Sequence, residues 1–320
     1  MKPTSPHAAA ALSLVESLQR RLLAAVGPAD FAVHEWLRDD GRHGGGRRYA
    51  CAQTARFNRA SLNVSCVHYA DEPRRAVSSA TALSTILHPA HPRAPSLHLH
   101  ASFTEPREGQ GTWRLMADLN PSHEDASEKA RFEASLRAVA PDLFEQARAQ
   151  GDRYFFIPAA GRHRGVTHFY LEGFSTGAFE ADLALVDRFV GAVIATWVEL
   201  LNAPRAAPTA AERATQLAYH TLYFFQVLTL DRGTTSGLLV HDQNDLGVMG
   251  SLPSWVDRAL LASWEPRMAP PQDALLRALV AELPEGQPSH VTDEVRLVLA
   301  RRVREHYRAH PEAMELQAAR

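Results

Sequence analysis

The chain has 320 residues, 45% hydrophobic and 22% charged, enough to bury a sizeable core without disulfides or metals. Thirty-four basic residues against 36 acidic ones leave a net charge of −2, which argues against a general nucleic-acid binder with its usual basic excess. Two cysteines, Cys51 and Cys66, form neither a CxxC nor a disulfide framework, a pattern that fits a reducing cytoplasm.

In chain order, Leu12, Val15, Leu18, Leu22 and Val26 recur at helical spacing and predict an opening amphipathic helix. Glu16 and Arg20 interrupt its apolar pattern, so no signal peptide is expected, and no stretch reaches roughly 18 uncharged apolar residues, so no membrane span is expected. Strands are predicted at Arg47–Phe57, after the glycine-rich Gly41–Gly46, and at Ser61–His68. A Pro/His-rich loop, His88–Pro95, delivers the chain into SLHLHASF, where His98 and His100 share one strand face and Leu97 and Leu99 the other. Trp113–Leu119 reads as a strand, Glu124–Gln150 as helical, Thr167–Phe174 as a strand, and Asp182–Leu201 and Ala210–Tyr223 as helices. Phe225–Val240 reads as a hairpin turning near Asp231–Thr234, and Val291–Ala309 as a charged last helix. Strands gathered in the middle, with helices around them and little strict alternation, predict an α+β fold with a large, mainly antiparallel sheet. One domain is expected over residues 1–283, with a helical extension over 284–320.

Few motifs carry chemistry by themselves. Gly44–Gly46 lacks the GxxxxGK[ST] of a phosphate loop and reads as a flexible turn. His98 and His100 could chelate a metal from one strand face, but no carboxylate or helical HExxH completes a site, so structural or substrate-contacting roles are preferred. Asp231 and Arg232 sit in a turn sequence, LDRGTTSG, where a surface ion pair is the ordinary reading. There is no dinucleotide fingerprint and no GxSxG elbow.

Taken together, these segments resemble the oxygen-dependent coproporphyrinogen III oxidases, from about Gly44 to Pro253. GGGRRYACAQTARFNRASLNVSCVH follows that family's glycine-rich turn and Val-Asn-x-Ser-x-Val segment through Phe57, Asn63, Ser65 and Val67. His88, Pro89, Pro92, Pro95 and His98 follow its His-Pro and Pro-Thr-x-His stretch; Asp118, Pro121, Glu124 and Asp125 follow its Asp-Leu-Thr-Pro…Glu-Asp. LDRGTTSGLL resembles Tyr-Asp-Arg-Gly-Thr-x-x-Gly-Leu, and GSLP ends the match at Pro253. The resemblance implies a homodimer and a cofactor-free oxidative decarboxylation that uses O2 as co-substrate. It implies His98, Asp231 and Arg232 as the chemical centre, with the acid and the cation activating a pyrrole-type N–H. Asn63, Ser65, His88, His100, Asp118, Arg164 and Glu172 are the candidate substrate contacts.

The departures point to a changed substrate. Ser102, Ala160 and Asn244 stand where the family has arginines, which would clamp a substrate with four carboxylates. Leu115-Met116-Ala117 replaces a glycine triplet, Asn58-Arg59 replaces Glu-Lys, and Met116, Phe169 or Phe225 is expected to fill space in the pocket. Arg162, His163 and Arg164 are the available replacements for the lost clamps. The expected function is O2-dependent oxidation or oxidative decarboxylation of an electron-rich pyrrole, indole or amino-acid-like small molecule. The alternatives are the family's own reaction in haem synthesis, a non-catalytic porphyrin-binding or interaction protein, and a metal oxidase built on His98 and His100.

Overall fold

Alternation between apolar and polar residues builds a seven-stranded sheet in which every neighbouring pair is antiparallel. A computed structural model describes residues 3 and 5–317 of the chain. The strands are β1 (Ala32–Leu37), β2 (Gly44–Ala52), β3 (Phe57–His68), β4 (Val77–Pro89), β5 (Ser96–Pro106) and β6 (Thr112–Asn120), a continuous meander. Two helices, α2 (Ala126–Val139) and α3 (Phe144–Tyr154), and a small hairpin, β7 (Phe156–Ile157) with β8 (Arg162–His163), precede β9 (Thr167–Phe174). β9 closes the order β1-β2-β3-β4-β5-β6-β9.

One sheet face is apolar. Leu62, Leu83, Leu97, Leu99, Ala117 and Phe169 point from it into the larger core, packed under α1 (Pro6–Val26), α2 and α4 (Phe179–Asn202). The other face is covered by a second helical layer. It begins with α5 (Ala210–Thr229), α6 (Arg232–Val240) and α7 (Asp245–Val248). After β10 (Trp255–Val256) come α8 (Arg258–Ala262) and α9 (Gln272–Glu282), then β11 (Ser289–His290) and α10 (Asp293–Ala309). The fold is therefore α+β, with helices on both faces of a large antiparallel sheet. In the second layer, Leu299, Val303 and Tyr307 of α10 share a core with Leu222, Phe225 and Leu228 of α5, so α10 and the segment after it contribute to the packing over the sheet.

Several local expectations are corrected. Phe225–Val240 is no hairpin: α5 runs to Thr229, and α6 starts at Arg232 with Asp231 as its N-cap. Every residue from Tyr219 to Thr229 is buried, so this half of α5 has no polar stripe to reveal its period. Glu124–Gln150 is two helices, because Pro141 lies between α2 and α3 and a proline cannot donate to a continuing helix. β1 escapes prediction because it is an edge strand with five of its six residues exposed. Gly44–Gly46 begins β2 instead of forming a loop; a Cβ at Gly44 would lie 2.1 Å from the Cys66 carbonyl oxygen. Close strand approach is the reason for those glycines.

Candidate active site

The half-open space between the sheet's polar face and the α5–α7 layer is a cavity of about 450 Å3. Strand register sets its floor in three rows. Asn63, Ser84, His100, Met116 and Tyr170 stand side by side across β3, β4, β5, β6 and β9. The neighbouring rows carry Ser61, Ile86 and His98, continued away from the cavity by Asp118, and Ser65, Ala82, Ser102 and Arg114. The period of two that buries Leu97 and Leu99 is what turns His98 and His100 to the cavity.

His98 is held from behind. Arg164, fully buried, donates to His98 Nδ1 at 2.7 Å, to Asp118 Oδ2 at 2.7 Å and to Gln226 Oε1 at 2.6 Å. Its guanidinium also lies over the rings of Phe155 and Tyr223, at 4.3 and 4.8 Å. A guanidinium has no acceptor, so His98 Nδ1 must accept and the ring proton sits on Nε2, away from Arg164. Burial, then Arg164, pushes the His98 pKa well below its ordinary value, so the ring is a neutral N–H donor at pH 7. His100 is also neutral: burial, then Arg114, lowers it to about 3, and its Nε2 lies 2.9 Å from Ser102 Oγ.

Asp231 enters from the helical side. As N-cap of α6 it accepts from the Thr234 backbone N–H through Oδ1 at 2.8 Å, and Oδ2 has no hydrogen-bond partner among the described residues. Two buried tyrosines that line the same space, Tyr154 and Tyr223, have raised pKa values through burial and then, respectively, the Asp231 charge and, against the opposing pull of Arg164, that same charge. Arg232 turns away from Asp231 and donates to the Met314 carbonyl at 2.8 Å, in the segment after α10. Arg114 donates to Glu172 at 2.6 Å, and Tyr170 donates to the other oxygen of that carboxylate at 2.9 Å.

The structure thus gathers His98, Asp231, Arg232, Asn63, Ser65, His100 and Glu172 around one cavity. It places the other three expected contacts elsewhere, which corrects their role. Asp118 and Arg164 form the buried pair behind His98. His88 is buried too, donating through Nε2 to the Ser251 carbonyl at 3.1 Å and accepting from Ser96, with its ring against His220 and Tyr223. The supposed replacement clamps fail as well: Arg162 faces Glu124, and His163 donates to the Asp152 carbonyl. Met116 lines the cavity as expected, but Phe169 and Phe225 belong to the two cores. Ser102 and Asn244 do face the cavity, whereas Ala160 packs against the helical core.

Sequence reasoning missed Arg114, Tyr154, Tyr223 and Met314. Arg114 stands opposite Ser102 in the β5–β6 register, so pairing HAS with WRL across that hairpin would have found it. The other three come from helical or irregular segments without a motif. Among the described residues, no group of three or more His, Cys, Asp or Glu is placed to hold a metal ion, and no helix is long and apolar enough to cross a membrane.

Comparison with known proteins agrees with the motif order. A family model described as coproporphyrinogen III oxidase matches residues 10–284. The mitochondrial oxygen-dependent coproporphyrinogen-III oxidase of Rattus norvegicus is 26% identical over 281 residues, covering 79% of this chain and 62% of the relative. The protein of the same name from Homo sapiens is 25% identical over 274 residues, covering 78% of this chain and 59% of the relative. The chain therefore spans about three-fifths of the length of these curated relatives.

Proposed function

Because the chain belongs to the coproporphyrinogen III oxidase family, we propose that it is a cofactor-free, O2-dependent oxidase or oxidative decarboxylase of a small electron-rich N–H heterocycle. The substrate class is a pyrrole, indole or amino-acid-like compound of specialised metabolism, and the working form is a cytoplasmic homodimer. One observation carries the substrate reading. Among the described residues, the fixed charges lining the cavity are Arg114 and Arg232 against Glu172 and Asp231, which sum to zero. A substrate with four carboxylates would leave most of them without a cation, at several kcal/mol each by the general cost of unpaired buried charge.

Asp231 Oδ2 is the group to accept or hold the heterocycle's N–H proton, raising the ring's electron density. The His98 Nε2–H is the donor for a developing peroxide or carboxylate anion, with Arg164 and Asp118 fixing its tautomer. In a decarboxylating turnover a hydride equivalent passes from the acidic arm to O2, which takes one further proton and leaves as H2O2. The bond to the carboxylate then breaks, releasing CO2 and giving its electron pair to the new alkene.

A second reading, conversion of coproporphyrinogen III itself, draws on the names of the relatives and on Arg114, which puts a guanidinium opposite Ser102. The test is anaerobic loading of the purified protein with coproporphyrinogen III, or with a panel of monocarboxylated pyrroles and indoles, followed by O2. H2O2 and CO2 from the small heterocycles are expected. Efficient formation of protoporphyrinogen IX favours the second reading, and no O2 uptake with any compound points to a non-catalytic binder.

A further inference from the structure

Beside the cavity, three arginines lie near a single carboxylate that only two of them reach. Arg48 on β2, Arg59 on β3 and Arg296 on α10 are 6%, 7% and 2% exposed. Arg296 donates to Asp293 Oδ1 at 2.9 Å and to the Leu252 carbonyl at 3.2 Å, while Arg59 lies 3.7 Å from the same Asp293 oxygen and donates to the Gly250 carbonyl. Asp293 is itself half exposed, and it is the only carboxylate paired with any of the three among the described residues.

Arg48 has nothing. Among the described residues it makes no hydrogen bond and no ion pair, and its Nε is a buried donor without a partner. His34, opposite Arg48 on β1, adds no acid. Burial lowers the pKa of all three arginines; the Arg59 charge adds to the lowering at Arg48 and at Arg296, which is brought down to about 10, and the Asp293 charge opposes it at each. A native fold does not keep a guanidinium buried without an acceptor unless something else supplies one.

The cluster adjoins the cavity wall. Arg48 pairs in register with Asn63, a cavity residue whose buried Oδ1 also lacks a partner. Gly250 packs close to both the cavity and the cluster: a Cβ there would lie 2.9 Å from the Oγ of the cavity residue Ser61 and 3.8 Å from Arg48 Cδ. We infer that Arg48, Arg59 and Arg296 form a binding site for one small oxyanion of the carboxylate or phosphate class. Guanidinium forks match such oxygens in pairs, and Arg48 supplies the free donors. The site does not depend on which heterocycle the cavity takes. Arg48 and Arg59 lie within the residues that match the family model, and Arg296 lies beyond them.

The test is thermal unfolding and isothermal titration of the whole protein with inorganic phosphate and, separately, propionate, against chloride at equal ionic strength. A saturable rise in Tm with one of the two is expected, together with about tenfold weaker binding in Arg48→Met, the loss of a charge-assisted contact. Without anion, Arg48→Met should be at least as stable as the wild type, because an uncompensated buried charge has gone. Tighter binding of propionate marks a site for a small carboxylate separate from the cavity's substrate; tighter binding of phosphate marks a free or esterified phosphate. If neither anion does more to the wild type than chloride, or if the variant responds unchanged, the inference is overturned. Titration of the wild type alone decides the matter if the variant does not fold.

Discussion

Asp231 has two duties that one substitution can separate. It caps α6 through Oδ1 and presents Oδ2 without a partner. Asn caps a helix about as well as Asp, so Asp231→Asn should keep the fold while removing the basic oxygen. The expected outcome is loss of turnover with an unfolding midpoint close to wild type; a folded variant with full O2 uptake would remove Asp231 from the chemistry. Arg164 behaves differently, because it and Asp118 are both fully buried. Arg164→Met leaves the Asp118 charge unpaired and frees His98 Nδ1, so it should cost about 3–5 kcal/mol in urea unfolding. Asp118→Asn together with Arg164→Met should recover part of that loss, which a double-mutant cycle would measure.

Among the elements, α5 is the most informative. It opens with a capping box, in which Thr209 accepts from the Glu212 backbone N–H and Glu212 accepts from the Thr209 backbone N–H. Glu212 also holds Arg93 of the loop before β5, at 2.5 Å. Thr209→Ala should therefore lower stability by about 1 kcal/mol, measured by chemical unfolding. The start of α5 was legible because its polar cap is written locally. Its second half was not, because a helix buried on all sides has the same apolar run as a buried strand. β5 and β9 were legible for the opposite reason: one face is apolar and the other polar, so their period of two survives in the sequence.

At the scale of the molecule, the second layer buries several neutral histidines. Burial lowers His220 to about 4 and His88 well below its usual value, and His98 and His100 shift the same way. An unfolded histidine binds its proton near pH 6.5, so stability is fully present above that pH and is lost as pH falls toward the folded values. His220 alone should cost on the order of 2 kcal/mol at pH 5. His43 acts in the opposite sense, since its hydrogen bond to Asp39 raises its pKa against the pull of burial. His34, His241 and His306 are lowered too, so His43 alone opposes seven, and urea midpoints measured from pH 8 to pH 5 should fall; a flat profile would mean that these rings reach water in the native state. The charge balance of the cavity belongs to this scale too. Coproporphyrinogen III should be turned over far more slowly than a monocarboxylated heterocycle, measured as kcat/KM under matched O2.

Local patterns determined the family, the α+β class, the strand that carries His98, and the presence of Asp231 and Arg232 at one turn of chain. Ordered motifs and a period of two are properties of neighbouring residues, so they are written in the sequence. The tertiary structure alone decided which of those residues share a cavity. It put Asp118 and Arg164 behind His98, drew Arg232 toward Met314, and set Arg114 beside Ser102. It also brought Arg296 to Arg48 and Arg59 from more than two hundred residues away in sequence. Contacts of that kind depend on strand register and on how one layer of helices settles over a sheet, and no local pattern of side chains encodes either.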